Sequence, residues 1–194
     1  MKDHTILAVL LKKYWIGGVL VAILLLSLYS CTCLELSDEF LTQYQRSLIP
    51  YEMATPLVFI DQNKQQVNGS VTDKISDSYL YDRTESCDPA NAERQRATVK
   101  IPSKGLSLEV RVNALAPTFE IAFDESVYTP SCPFNENLAQ TITDVEVDGF
   151  VYQDVFRFEY CIFQDSNIAF IVFSEERGIE FIKYDDGSYL KLMD

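Results

Sequence analysis

The segment IAFIVFSEERGIEFIKYDDGSYLKLM, Ile168–Met193, decides the fold. Its three apolar stretches, 168–173, 179–184 and 189–193, are separated by two short polar connections that each contain a glycine. Connections this short join antiparallel neighbours, because a parallel pair needs a crossover of about a dozen residues or more. Both faces of 168–173 are apolar, which is typical of a central strand. The sequence therefore predicts a C-terminal three-strand meander.

The chain before this meander carries the same β-type patterning. Leu106–Asn113 alternates apolar and polar residues, as a strand with one wet face does. Asp148-Gly149 separates Thr141–Val147 from Phe150–Phe163, which predicts a tight hairpin. Further strands are predicted at Leu57–Ile60, Gln65–Ile75, Ser78–Asp82, Ala97–Ile101 and Thr118–Phe123, with a bulge or turn at Asn68-Gly69 and a long loop over Ser126–Leu138.

Helical signals are scarce. Residues 36–48 predict one short amphipathic helix, with Ser37 as its cap and an apolar residue at every fourth position. Asp88–Arg96 fits either one helical turn or a loop. The expected fold class is mainly β: an antiparallel sheet, arranged as an open curved sheet, a half-barrel or a sandwich, with the C-terminal meander and one short N-terminal helix.

The N-terminus carries an uncharged stretch, YWIGGVLVAILLLSLYSC, Tyr14–Cys31, that follows Lys12-Lys13. A signal peptide has an apolar core of about 7–15 residues, whereas a membrane-spanning helix needs about 20. Residues 15–28 fit the first, and the uncharged span 14–34 is just long enough for the second. Length alone leaves a cleaved signal and an uncleaved single-pass helix open.

The end of this stretch, Leu28-Tyr29-Ser30-Cys31, resembles the lipobox of bacterial lipoproteins. The resemblance implies that Cys31 is lipidated and becomes the mature N-terminus, which favours the signal-peptide interpretation. Tyr29 is bulkier than the residue usual at that place, and Cys33 fits the pattern much less well. Stable lipid anchoring needs two or more acyl chains, such as palmitate, and a tri-acylated cysteine supplies them.

The anchor, the IPYE and TPLVFIDQNK stretches and the C-terminal meander together resemble small lipoproteins of Bacteroidota. The resemblance implies a protein anchored by lipid in the outer membrane, on its periplasmic face or at the cell surface. The resemblance implies no active site in this chain. An uncleaved helix implies instead a single-pass protein of the inner membrane with its C-terminal domain outside the cytoplasm. The expected organisation is an anchor at 1–30, a tether and short helix at 31–50, and one extracytoplasmic domain at 51–194.

The net charge limits the kinds of partner that the protein is expected to bind. The formal net charge is −13, and the first thirty residues hold three Lys and one Asp, so the remainder carries −15. Such an acidic domain is not expected to bind nucleic acid or anionic lipid head groups. The membrane, bound through the anchor, is the one partner that the sequence predicts directly. Envelope proteins or an apolar ligand are the further partners we consider.

The chain has five cysteines. With Cys31 lipidated in an oxidising compartment, four remain available for disulfides. Cys87 and Cys132 both lie in turn-like settings and form the favoured disulfide, with Cys161 as the alternative partner. No CxxC spacing typical of a redox motif or zinc site is present.

Catalytic signals are missing from the sequence after the anchor. The single histidine is His4, so the domain has no imidazole for nucleophile activation or a typical zinc site. We therefore expect no enzyme, no metal and no cofactor. The acidic pairs that could serve as general acid and base are Asp124 with Glu125, Asp144 with Glu146, and Asp185 with Asp186. For each we prefer a solvated loop, strand face or turn.

Aromatic residues crowd the C-terminal strands: Phe156, Phe158, Tyr160, Phe163, Phe170, Phe173, Phe181, Tyr184 and Tyr189. Core packing explains them most simply, since alternating aromatics suit a half-buried sheet. Two functions follow. A filled core favours a non-catalytic envelope lipoprotein that binds or assembles with partners. A concave groove lined by these rings favours a carrier of a lipid or other apolar ligand.

Overall fold

The computed structural model describes residues 37–81, 89–115, 118–123, 126–130, 138–160 and 167–193. The chain divides into two compact units, Met1–Leu36 with Asp82–Pro89, and Ser37–Tyr81 with Ala90–Asp194. Of the first unit only Pro89 is described. Within the described part of the chain, no helix has the length and apolar character needed to span a bilayer. The predicted anchor lies outside that part.

The second unit is built almost entirely from antiparallel strands, which confirms the predicted fold class. Among its described residues, one α-helix, α1, spans Gln43–Ser47, and two 3₁₀ turns span Pro102–Lys104 and Leu138–Thr141. The strands are β1 Pro56–Asp61, β2 Gln66–Tyr81, β3 Ala90–Ile101, β4 Leu106–Asn113, β5 Thr118–Phe123, β6 Ser126–Thr129, β7 Ile142–Val147, β8 Phe150–Tyr160, β9 Ile168–Ser174, β10 Gly178–Tyr184 and β11 Tyr189–Leu192.

The curved sheet closes on itself. Its order is β6-β5-β4-β3-β2-β1-β11-β10-β9-β8-β7, and an additional pairing joins β6 to β8 through Tyr128 with Tyr160 and Thr129 with Glu159. Ten strands thereby form a barrel, and β7 extends beyond it, paired with β8. Closure satisfies strand edges that an open sheet leaves exposed. The predicted meander is β9-β10-β11, with its two antiparallel pairings as expected.

Three local predictions were wrong. The strands expected at 65–75 and 78–82 are one long strand, β2, and its irregularity lies between Val71 and Asp73 rather than at Asn68-Gly69. Residues 90–96, expected as a helical turn or loop, begin β3. Tyr81 pairs with Ala90 there, so the partner strand overrides the weak local preference for a turn. Part of the loop expected over 126–138 is the short strand β6.

Helix α1 is shorter than predicted and has a different cap. Thr42 caps it and forms a capping box with Gln45. Ser37 cannot be the cap, because the residues after it run alongside β3 and Glu39 forms a parallel bridge with Ala92. The buried face also differs in part from the expected one: Leu48 is buried as expected, but Phe40 and Tyr44 are exposed and Leu41 is buried instead.

The barrel interior is filled by interlocking aromatic rings. Phe119 is at the centre, with edge-to-face contacts to Phe156, Phe158 and Phe173 at centroid distances of 5.1, 4.9 and 5.3 Å. All four are 0% exposed. Rings buried this completely face neither solvent nor an internal space large enough for a water molecule. Apolar burial of this kind is the main stabilising term of the fold.

The β7–β8 hairpin leaves the barrel and covers part of its outside. Asp148 and Gly149 both have positive φ, 50° and 80°, as the tight turn predicted from the sequence requires. An extra residue in β8, near Asp154 with φ 53°, bends the hairpin away from β9. Its inner face then packs on β9 and β10 in a second apolar cluster: Val145, Tyr152, Val155, Val172 and Phe181.

Candidate functional site

The predicted lipid and disulfide residues lie outside the described residues. Cys31, Cys33, Cys87, Cys132 and Cys161 all fall in this group, as does the whole of the segment 1–36. Lipidation of Cys31 and the pairing of Cys87 with Cys132 or Cys161 therefore stay predictions from the sequence.

The structure does not bring the predicted carboxylate pairs together as a buried acid and base. Asp124 and Glu125 lie outside the described residues. Asp144 and Glu146 are exposed on β7, and the Asp144 carboxylate accepts a hydrogen bond from the Asp154 backbone N–H at 3.2 Å. That contact gives Asp144 a structural role, since it holds the bend in β8.

Asp185 and Asp186 are exposed in the β10–β11 turn. The Asp186 carboxylate accepts hydrogen bonds from the Ser188 hydroxyl at 2.6 Å and from the Ser188 backbone N–H at 2.8 Å. These bonds hold the pKa of Asp186 below its usual range, because they favour the ionised form. The pair forms the turn, as preferred from the sequence.

The C-terminal aromatics divide between the two apolar clusters. Phe156, Phe158 and Phe173 fill the barrel interior. Phe181 lies in the outer cluster, where it stacks on Tyr189 at 5.1 Å and contacts Tyr152 at 5.9 Å. Partly buried members complete the set: Tyr160 and Tyr184 beside the inner cluster, and Phe170 and Tyr189 beside the outer one. Phe163 lies outside the described residues.

An acidic cleft opens where β8 bends away from β9. It has a volume of about 420 Å³ and is lined by Ile142, Gln153, Asp154, Ser174, Glu175, Glu176 and Glu180. Arg177 offsets part of this charge with an ion pair to Glu180 at 3.5 Å. The sequence did not predict the cleft, because its carboxylates come from β8, the β9–β10 turn and β10, and only the fold brings these together.

A tyrosine from the α1 segment contacts the rim of this cleft. The Tyr44 hydroxyl donates a hydrogen bond to Glu175 at 2.8 Å. Partial burial, this hydrogen bond and the negative charge of Glu175 all raise the pKa of Tyr44. Tyr44 is therefore a neutral donor over the physiological pH range, and it ties the short helix to the β9–β10 turn.

The free side of β7 is the other unusual surface. Within the described chain β7 pairs with β8 alone, so the backbone groups on its far side have no strand partner there. Asp144 and Glu146 are exposed on one face of β7, and Val151, which pairs with Glu146 on β8, is 66% exposed. A strand edge of this kind can accept an added strand. The sequence predicted the strand but could not show that no described strand pairs with its second side.

No group of three or more His, Cys, Asp or Glu side chains suited to a metal ion occurs among the described residues. Comparison of the chain with protein-family models, with curated proteins and with solved structures found no match.

Proposed function

We propose that the chain is a membrane-anchored envelope lipoprotein whose β-barrel is a non-catalytic binding or assembly module. The packing of the C-terminal aromatics supports the module over a lipid carrier. A carrier site is a concave, mostly apolar pocket of about 300–1,000 Å³. Phe119, Phe156, Phe158 and Phe173 instead contact one another and are 0% exposed.

The exposed positions of the carboxylate candidates support a non-catalytic role. A general acid or base is usually placed in a partly buried site that shifts its pKa toward the working pH. Asp144, Glu146, Asp185 and Asp186 are all exposed, and the pKa of Asp186 is lowered rather than raised.

Extraction of the purified protein with organic solvent tests the module against the carrier. We expect non-covalently bound lipid to be present at well below one molecule per chain. Recovery of one apolar molecule per chain, retained through purification in a second detergent, would contradict the proposal and support the carrier.

The anchor proposal assigns Cys31 as the lipidated residue, with the barrel at the outer membrane. Metabolic labelling with an alkyne fatty acid tests it. We expect the wild type and the matched control Cys33→Ala to be labelled equally and Cys31→Ala to lose the label. Equal labelling of wild type and Cys31→Ala would show that Cys31 is not the lipid site. In that event an uncleaved helix at residues 14–34 would account for the anchor.

A further inference from the structure

Closure of the barrel leaves one side of β7 without a partner among the described strands. The ten barrel strands pair on both sides, whereas β7 pairs with β8 alone within the described residues. Open strand edges commonly bind an extended segment of another chain, whose backbone then continues the sheet.

The hairpin turn fixes which backbone groups of β7 face outward. In a two-residue hairpin, the residues that flank the turn exchange backbone hydrogen bonds, and the bonded pairs then alternate. Val147 pairs with Phe150 across the Asp148-Gly149 turn, and Val145 pairs with Tyr152. The N–H and C=O of Glu146 therefore point away from β8, toward an added strand.

The side chains of β7 give the two faces of an added strand different surroundings. On the outer face lie the carboxylates of Asp144 and Glu146. On the inner face lie Val145 and Val147, which belong to or pack against the apolar cluster outside the barrel. A residue opposite Glu146 would thus meet a negative charge, and its neighbours would extend an apolar surface.

We propose that the free edge of β7 binds an extended segment of a partner protein in which Lys or Arg alternates with β-branched apolar residues. The inference rests on the proposed function of the barrel as a binding module and names its surface and partner. Opposite charges directly across two strands stabilise the pairing, and like charges destabilise it. Pairing with a second copy is disfavoured, because it would place the carboxylates of two β7 strands across from one another.

A fluorescent peptide tests the partner chemistry. The probe is Lys-Val-Lys-Val-Lys-Val with blocked ends, and its binding to the full chain in a neutral detergent is followed by fluorescence anisotropy. The controls are the same peptide with Glu for Lys and the block sequence Lys-Lys-Lys-Val-Val-Val. We expect the alternating Lys peptide to bind about tenfold more tightly than either control. Equal binding of the block peptide would overturn the proposal, since charge alone would then explain binding.

N-methylated peptides test the strand pairing without changing the protein. A Lys opposite Glu146 shares a bonded pair with it, so the Lys amides point toward β7 and the Val amides point away. Methylation of the backbone N–H groups of the peptide's Lys residues should reduce binding about tenfold or more. Methylation of the backbone N–H groups of its Val residues should leave binding nearly unchanged. Equal effects of the two methylation patterns would overturn the strand-addition geometry.

Variants of the protein locate the site. Glu146→Pro removes the outward N–H and leaves the bonds to β8 in place, because proline is tolerated on an edge strand whose N–H faces solvent. It should abolish peptide binding, with an unchanged circular dichroism spectrum as the check of folding. Glu146→Lys should weaken binding more than the charge-matched control Glu176→Lys, which lies in the acidic cleft.

A larger loss in Glu176→Lys than in Glu146→Lys would overturn the proposal and place the peptide in the cleft. Absence of binding at millimolar peptide would also overturn it. Neither result changes the lipid extraction or the labelling of Cys31, so a failure of this inference is distinguishable from a failure of the proposed function.

Discussion

The ring of Tyr51 lies directly against the Cα of Gly178, where the backbone φ is +80°. A Cβ added at residue 178 would lie 2.5 Å from Tyr51 Cε1, closer than real Cβ contacts. The Tyr51 hydroxyl accepts a hydrogen bond from the Ile179 backbone N–H at 2.6 Å, and its ring packs edge-to-face on Phe173. The segment after α1 is thus fixed to the start of β10 by one side chain.

Gly178→Ala should therefore destabilise the protein more than its backbone angle alone explains. Gly187→Ala is the matched control, because Gly187 has a φ of +86° with no atom within 4 Å of an added Cβ. We expect the control to cost about 1 kcal/mol and Gly178→Ala about 3 kcal/mol or more, since overpacking adds to the strain. Urea unfolding measures both. Equal losses of stability in the two variants would show that the Tyr51 ring moves aside at no cost in free energy.

Tyr51→Phe should lower the free energy of unfolding by about 1–3 kcal/mol at pH 7, because it leaves the buried Ile179 N–H without its acceptor. Chemical denaturation measures this loss. A variant as stable as the wild type would mean that the amide finds another partner.

The same residue should also make the protein sensitive to alkali. Burial is the main cause that raises the pKa of Tyr51 above the ordinary value of 10.0. The stability that the neutral hydroxyl supplies is then fully present below pH 10 and is lost as the pH rises above it, because only the unfolded chain ionises readily there. The free energy of unfolding should fall above pH 10, and less steeply in Tyr51→Phe.

Phe119→Ala should destabilise the protein by about 3–5 kcal/mol, because it removes the ring that three other rings contact and leaves a cavity. Phe150→Ala is the comparison, since Phe150 packs against the outer cluster and is only partly buried. It should cost less. If both variants lost similarly small amounts of stability, the barrel interior would tolerate empty space. That result would support the carrier function over the binding module.

Asp154→Gly should stabilise the protein by about 0.5–1 kcal/mol. Asp154 has a φ of 53°, which glycine adopts without steric cost, and its N–H bond to Asp144 is kept by the substitution. The melting temperature should rise by a few degrees. A drop would mean that the Asp154 side chain itself supports the bend in β8.

The sequence predicted the elements that short-range chemistry controls. The bounds of β4 and β5 match the predicted strands, because Leu106–Asn113 and Thr118–Phe123 alternate cleanly between turns. The Asp148-Gly149 turn is as predicted, since few dipeptides favour two positive φ angles.

Pairings between distant residues were not predictable in this way. Tyr128 meets Tyr160 across the closure of the barrel, and Phe59 meets Leu192 where β1 pairs with β11. In neither pair does the sequence around one residue indicate which distant residue it pairs with. The acidic cleft was missed for the same reason, because Asp154, Glu175 and Glu180 come together only after β8 bends and β9 returns as β10.

The pairing of β1 with β11 limits the order in which the strands of the barrel can fold. Phe59 lies opposite Leu192, so the second side of β1 stays uncovered until β11, more than 100 residues later in the chain, is in place. Contacts this far apart in sequence close slowly and leave strand edges open to association in the meantime. A chain in which β11 has not yet paired would therefore expose the apolar LVFI of β1, and a chaperone that covers this strand until β11 pairs with it would raise the yield of folded protein.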